Sequence, residues 1–205
     1  MPLETSAPMA DPQTDLVALV GSRLCHDLIS PLGAIGNGVE LLAMSGAPAS
    51  PEMELIAESV RAANTRIRFF RIAFGQALPE QRVSQREILA ILDDMARSGR
   101  MRVRWEIAGD LPRQEVKLAF LAILCLETAL PRGGDVVITL SVDGWRVTAQ
   151  GPQIRTEPGL WAQLAADPGT LPPAQVQFAL LPREARLAGR TLRHEIGDSR
   201  AVLSF

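Results

Sequence analysis

Apolar positions in the first part of the chain return every three or four residues. Leu16, Leu19, Val20, Leu24, Leu28, Ile35, Val39 and Leu42 follow this rhythm, which is that of one face of an α-helix. Thr14 or Asp15 is placed to cap its start. Ser45-Gly46 is placed to end it, since glycine suits the backbone just past a helix C-terminus. Ala47-Pro48-Ala49-Ser50-Pro51 then reads as a turn, with Ser50 capping a second helix and Pro51 at its first position. The second helix sets Leu55, Ile56, Val60, Ala63, Ile67, Phe70 and Phe74 on one side. Glu54, Glu58, Arg61, Arg68 and Arg71 lie on the other. Two antiparallel helices of roughly 24–31 residues, about 36–46 Å long, make a hairpin. A lone hairpin cannot bury both apolar stripes. Pairing with a second copy as a dimeric four-helix bundle is the simplest remedy, so a homodimer is expected.

The helical rhythm breaks after Gly75, and Leu78-Pro79-Glu80 marks a domain boundary. The sequence thus divides into a loosely packed or disordered start (residues 1–13), a helical hairpin (14–79) and a second domain (80–205). In that domain Ser84 caps a helix through Ser98, with Glu87 completing a capping box. Residues 101–107 alternate as a strand, and 113–130 form an apolar helix that should be buried. Val136–Val142 and Trp145–Ala149 flank Asp143-Gly144, a two-residue hairpin signal. A short helix is expected near Gly159–Ala165, then a helix over Pro173–Ala188 interrupted by Pro182. Two strands, Thr191–Ile196 and Ala201–Phe205, close the chain through Gly197-Asp198-Ser199. The fold class is α+β, the second half having helices packed on a largely antiparallel sheet.

With 21 basic and 23 acidic residues among 205, the formal net charge is −2. A broad electrostatic grip on nucleic acid is therefore not expected. The two cysteines, Cys25 and Cys125, are far apart and belong to no Cys/His cluster. They read as reduced, buried thiols of a cytoplasmic protein. Neither a secretory leader nor an apolar stretch of membrane-spanning length is expected, and no repeat period occurs.

One run carries candidate chemistry: Ser22-Arg23-Leu24-Cys25-His26-Asp27-Leu28-Ile29-Ser30-Pro31-Leu32. An imidazole with an unperturbed pKa of about 6.5 is largely neutral near pH 7 and can act as a nucleophile. The neighbouring Asp27 carboxylate can take the proton of the other ring nitrogen, fixing the tautomer. Adjacent helical residues point about 100° apart, so the contact needs favourable rotamers. His26 is out of phase with the apolar stripe. Its own stripe, Ser22, Ser30, Gly33 and Asn37, is small or polar, as suits a face a partner approaches closely. Pro31 removes a backbone hydrogen bond to the Asp27 carbonyl and should bend the helix one turn past the histidine. Gly33 and Gly36 cost about 1 kcal/mol each against Ala; close approach of a partner and tight packing within the bundle both account for them. His194, between Arg193 and Glu195, reads as a surface residue. The arginines of the second helix read as a solvated face or as contacts to an acidic partner.

His26-Asp27-Leu28-Ile29-Ser30-Pro31-Leu32 resembles the phosphoacceptor motif of sensor histidine kinases, His-Glu/Asp-Leu-x-Thr/Ser-Pro-Leu. The resemblance implies His26 as phosphoacceptor, Asp27 as assisting acid, and a positioning role for Ser30. In those kinases an ATP-binding α/β sandwich follows the hairpin, and the order of elements here is similar. Leu118–Leu130 resembles the asparagine-bearing helix, but no asparagine occurs and Glu127 stands near its place. Val147-Thr148-Ala149-Gln150-Gly151-Pro152-Gln153-Ile154 resembles the Asp-x-Gly-x-Gly turn. There Ala149 replaces the acid, Gln153 replaces the second glycine, and no later Gly-x-Gly lid appears. A kinase-like hairpin joined to a kinase-like domain without nucleotide residues is similar to the ChpT-type histidine phosphotransferases. That resemblance implies a dimeric relay from the receiver of a hybrid kinase to response regulators. It also implies no cofactor of the chain's own, Mg²⁺ residing in the partner receiver. The rival readings are an ATP-dependent histidine kinase with an atypical nucleotide site and a non-catalytic module that binds response regulators.

Overall fold

The computed structural model describes residues 12–45, 50–165 and 171–205. Of the loose start expected over 1–13, residues 1–11 lie outside these, as do the Gly46 stop and the turn at 47–49, and residues 12–13 are helical instead. Helix α1 runs Pro12–Met44 and α2 runs Pro51–Ala73, antiparallel to it. Ser50 caps α2 as expected: its hydroxyl oxygen accepts from the Met53 amide at 3.3 Å, and Pro51 follows it. The caps proposed at Thr14 or Asp15 do not hold, because the backbone is already helical at Pro12.

Which face of α1 meets α2 also differs from expectation. The leucine stripe is exposed: Leu16, Leu19, Val20, Leu24, Leu28, Ile35 and Leu42 all lie open, and of the set Val39 alone is half-buried. The seam against α2 is a second stripe of smaller residues, Ala18, Gly21, Ser22, Cys25, Ile29, Leu32, Gly36 and Val39. Small side chains let two helix backbones close up. A Cβ on Gly21 would stand 3.0 Å from the Phe74 carbonyl oxygen, and one on Gly36 would touch Val60 at 3.5 Å. Close packing inside the hairpin thus bears on Gly21; the contact at Gly36 is an ordinary van der Waals one and a Cβ on Gly33 would meet nothing within 4 Å, so the hairpin's own packing demands glycine at neither.

The second half contains β1 (Arg82–Val83), α3 (Gln85–Ser98), β2 (Met101–Trp105), β3 (Leu111–Pro112) and α4 (Arg113–Ala129). It continues with β4 (Gly134–Ser141), β5 (Gly144–Gln150), α5 (Pro158–Ala162), a 3₁₀ turn at Pro173–Gln175, α6 (Gln177–Leu187), β6 (Arg193–Ile196) and β7 (Arg200–Ser204). The main sheet has the order β2-β4-β5-β7-β6, parallel only between β2 and β4; β1 and β3 pair separately. Ser84 caps α3 by accepting from the Glu87 amide at 3.1 Å. The Glu87 carboxylate pairs with Arg71 of α2 instead of closing a capping box. The β4–β5 turn is shifted one residue from the expected pair. Ser141 faces Gly144, so Val142-Asp143 forms the turn, and Gly144 opens β5 with φ +106°. Pro182 does not interrupt α6, which runs through it.

Helix α4 is the centre of the core. Val116 and every residue from Leu118 to Ile123 are fully buried, and the sheet and α6 close over them. Lys117 and Glu184, both buried, bridge α4 to α6 at 2.8 Å. Phe69, Ile72 and Ala73 from the end of α2 belong to this same core. Phe69 stacks on Phe120 of α4, with ring centroids 4.4 Å apart. The core therefore continues from the hairpin into the sandwich across the Leu78-Pro79-Glu80 connection.

Candidate functional site

The hairpin fixes where His26 sits. The Ser22 hydroxyl accepts from the Gln76 amide at 2.9 Å, and Gly36 lies against Val60. Counting between those two anchors sets His26 level with residues of about 70–72, near the sandwich end of the hairpin. At about 100° per residue, His26 lies about 80° from the α2 seam and about 180° from the stripe Val17, Leu24, Leu28, Ile35 and Leu42. Its imidazole is 84% exposed.

Around that ring the sequence-derived residues divide. Ser30 and Asn37 are exposed and Gly33 is half-exposed, all on the side of α1 that carries His26. Ser22 is half-buried and turned to α2, with its hydroxyl committed to the Gln76 amide. Asp27 does reach His26: its Oδ1 stands 3.2 Å from Nδ1. Its other oxygen, Oδ2, accepts from the Arg23 Nε at 2.7 Å. The hydrogen bond from His26, and after it the one from Arg23, holds the Asp27 carboxyl below its ordinary value, so the group is ionised at neutral pH. An ionised carboxylate accepts hydrogen bonds and donates none. His26 Nδ1 is then the donor, and the lone pair is on Nε2. Arg23 was missed in the sequence, although its spacing from Asp27, four residues along one helix, was the signal for it.

Helix α1 continues through Pro31, which supplies no amide to the Asp27 carbonyl. Immediately behind His26 is Cys25, whose thiol is pushed up by burial and partly drawn back by Arg71.

The sandwich carries the other candidate region. Glu127, near the place of the kinase asparagine, is gripped by Arg66 of α2. The Arg66 Nη1 and Nη2 donate to its two oxygens at 3.1 and 2.8 Å. Ala149 is fully buried in β5. A Cβ on Gly151 would stand 2.7 Å from Leu130 and 2.9 Å from the Gly133 carbonyl, so protein atoms already crowd this turn. Among the described residues no group of three or more His, Cys, Asp or Glu side chains could hold a metal ion. Three of the α2 arginines are engaged in ion pairs to the second half of the chain while more than a third of each side chain stays open to water. Besides Arg66, Arg71 meets Glu87 at 3.2 Å and Arg68 meets Asp94 at 3.7 Å, while Arg61 stays exposed. His194 is half-buried, edge-on to Trp161, where a plain surface residue was expected. No helix among the described residues is long and apolar enough to cross a membrane.

Comparison with known proteins bears on both regions. Residues 85–200 match the family described as the histidine phosphotransferase C-terminal domain. The chain is 36% identical to the protein phosphotransferase ChpT of Brucella abortus (strain 2308) over 159 residues, spanning 75% of this chain and 76% of that one. A solved bacterial phosphotransferase superposes with a TM-score of 0.66 at 31% identity, covering 97% of this chain and 99% of the other.

Proposed function

This chain belongs to the histidine phosphotransferase family, and we propose that His26 is the residue that carries its phosphoryl group. The donor is the phosphorylated aspartate of a hybrid-kinase receiver and the acceptor is the aspartate of a response regulator, in the order Asp to His to Asp. One observation carries this reading: an 84% exposed imidazole whose Nδ1 is held by a carboxylate, leaving Nε2 open to a docking protein. Phosphoryl transfer of this kind rests mostly on positioning, with the receiver's own acidic pocket holding the Mg²⁺. Ser30, Gly33 and Asn37 extend the same face and form the ground on which a receiver would sit. Ser22 serves that face from beneath, by anchoring the hairpin.

The active form is a cytoplasmic homodimer. The exposed stripe of Val17, Leu24, Leu28, Ile35 and Leu42, with Leu55 and Ile56 open on α2, is the apolar area a second hairpin would cover in a four-helix bundle. Because this stripe lies about 180° from His26 on α1, pairing leaves the imidazole outward.

Incubation with a radiolabelled phospho-receiver tests the assignment. The parent protein is expected to acquire acid-labile, alkali-stable label, and His26→Ala to acquire none while sedimenting like the parent. Label that persists in His26→Ala would remove His26 from the reaction. The Arg66 grip on Glu127 weighs against the ATP-dependent kinase, and saturable binding of a fluorescent nucleotide would revive it. A parent that binds receivers but stays unlabelled would favour the non-catalytic module.

A further inference from the structure

The contact between His26 and Asp27 is unusual in its geometry. Neighbouring residues on a helix project about 100° apart, so a free Asp27 carboxylate has no reason to lean toward the ring behind it. In this structure the carboxylate is bound at both oxygens: Arg23 Nε donates to Oδ2 at 2.7 Å and His26 Nδ1 to Oδ1 at 3.2 Å. Arg23 lies one helical turn before Asp27, and its bond is the shorter of the two. We propose that Arg23 is a positioning residue for phosphoryl transfer: it fixes the Asp27 carboxylate so that His26 is held with its proton on Nδ1 and its lone pair on Nε2.

The inference rests on the assignment of His26 as acceptor and adds to it. In the forward step the Nε2 lone pair attacks phosphorus. An N–P bond forms, the P–O bond to the donor aspartate breaks, and the bonding pair leaves with that carboxylate. The ring keeps its Nδ1 proton and becomes a phosphoryl-imidazolium, whose positive charge faces Asp27. Without Arg23 the carboxylate is free to take other rotamers. The ring then spends more time as the opposite tautomer, with a proton on the nitrogen that must attack. Arg23 acts through Asp27 and needs no contact with the phosphoryl group.

Two measurements on the 205-residue chain test this. The chain has two histidines, His26 and His194, so nitrogen-15 spectra above the imidazole pKa assign simply, with His26→Ala marking the signal to follow. The parent should show His26 chiefly as the Nδ1–H tautomer, and Arg23→Ala should move it toward Nε2–H. Arg23→Lys, which keeps a cation within reach of Asp27, should restore part of the shift. In transfer assays with a phospho-receiver, Arg23→Ala should slow labelling at saturating receiver on the order of tenfold, with little change in the half-saturating concentration. The proposal is overturned if the tautomer is unmoved in Arg23→Ala. It is equally overturned if labelling stays within twofold of the parent, or if only half-saturation changes, which would make Arg23 a docking contact. Failure of the underlying His26 assignment looks different, as label retained in His26→Ala.

Discussion

Helices α1 and α4 are both rich in apolar residues, and each carries one of the two cysteines, yet the fold treats them oppositely. In α4 the apolar side chains are buried all round by the sheet, α6 and the end of α2. Complete burial drives the Cys125 thiol well above its ordinary value. In α1 only a narrow seam of small residues meets α2, and Leu24, Leu28, Ile35 and Leu42 stand in the open. The Cys25 thiol in that seam is raised by burial too, but Arg71 opposes the effect. Apolar content alone thus does not say what a helix packs on. Helix α4 completes its burial within the chain, whereas α1 holds a surplus that calls for another surface.

The largest expected effect tests the buried member. Phe120 is fully buried and stacked on Phe69, so Phe120→Ala should lower unfolding stability by about 3–5 kcal/mol in chemical denaturation. Leu28→Ala should instead change the stability of the separated chain by only about 0.5 kcal/mol. Its effect should appear as a weaker self-association in sedimentation, with Leu28→Glu more severe. A Leu28→Glu protein that sediments like the parent would show that this stripe is not where two copies meet.

A smaller effect concerns the join between the two regions. Arg66→Ala should cost about 1 kcal/mol, since both partners of the Arg66–Glu127 fork stay more than a third open to water. Thermal unfolding of the single variant measures it, and Arg66→Lys should recover little of the bidentate geometry.

The smallest effect is a titration. The folded Asp27 carboxyl ionises below its ordinary value of 3.8. Any stability it contributes is therefore complete above that value and is lost only as pH falls through the depressed one. A carbon-13 titration should find the depressed value in the parent. Arg23→Ala should move it back toward 3.8, by loss of its own bond and by loosening the bond from His26, the larger cause.

Much of this was legible in the sequence because it is local. Ser50-Pro51 and Ser84 announce helix starts through bonds spanning three residues. The unbroken apolar run from Leu118 to Leu126 announces a buried helix, and His26-Asp27 announces its own contact. The unread features depend on partners distant in the chain. Arg66 and Glu127 are 61 residues apart, and the parallel β2–β4 pair is joined only across α4. The α1 seam was hidden for another reason. Hydropathy weights leucine over glycine, serine and cysteine, while close helix packing favours the small residues. The β4–β5 turn slipped by one residue because Gly144, with its positive φ, serves as the first residue of the strand.

The stack of Phe69 on Phe120 has a consequence for how the molecule can be divided. The last turns of α2 supply Phe69, Ile72 and Ala73 to the interior of the following layer. Cutting the chain after residue 79 would leave one fragment with bare aromatic surface and the other with a hole of matching shape. Grafting this helix pair onto a different neighbour would therefore require carrying α4 along with it.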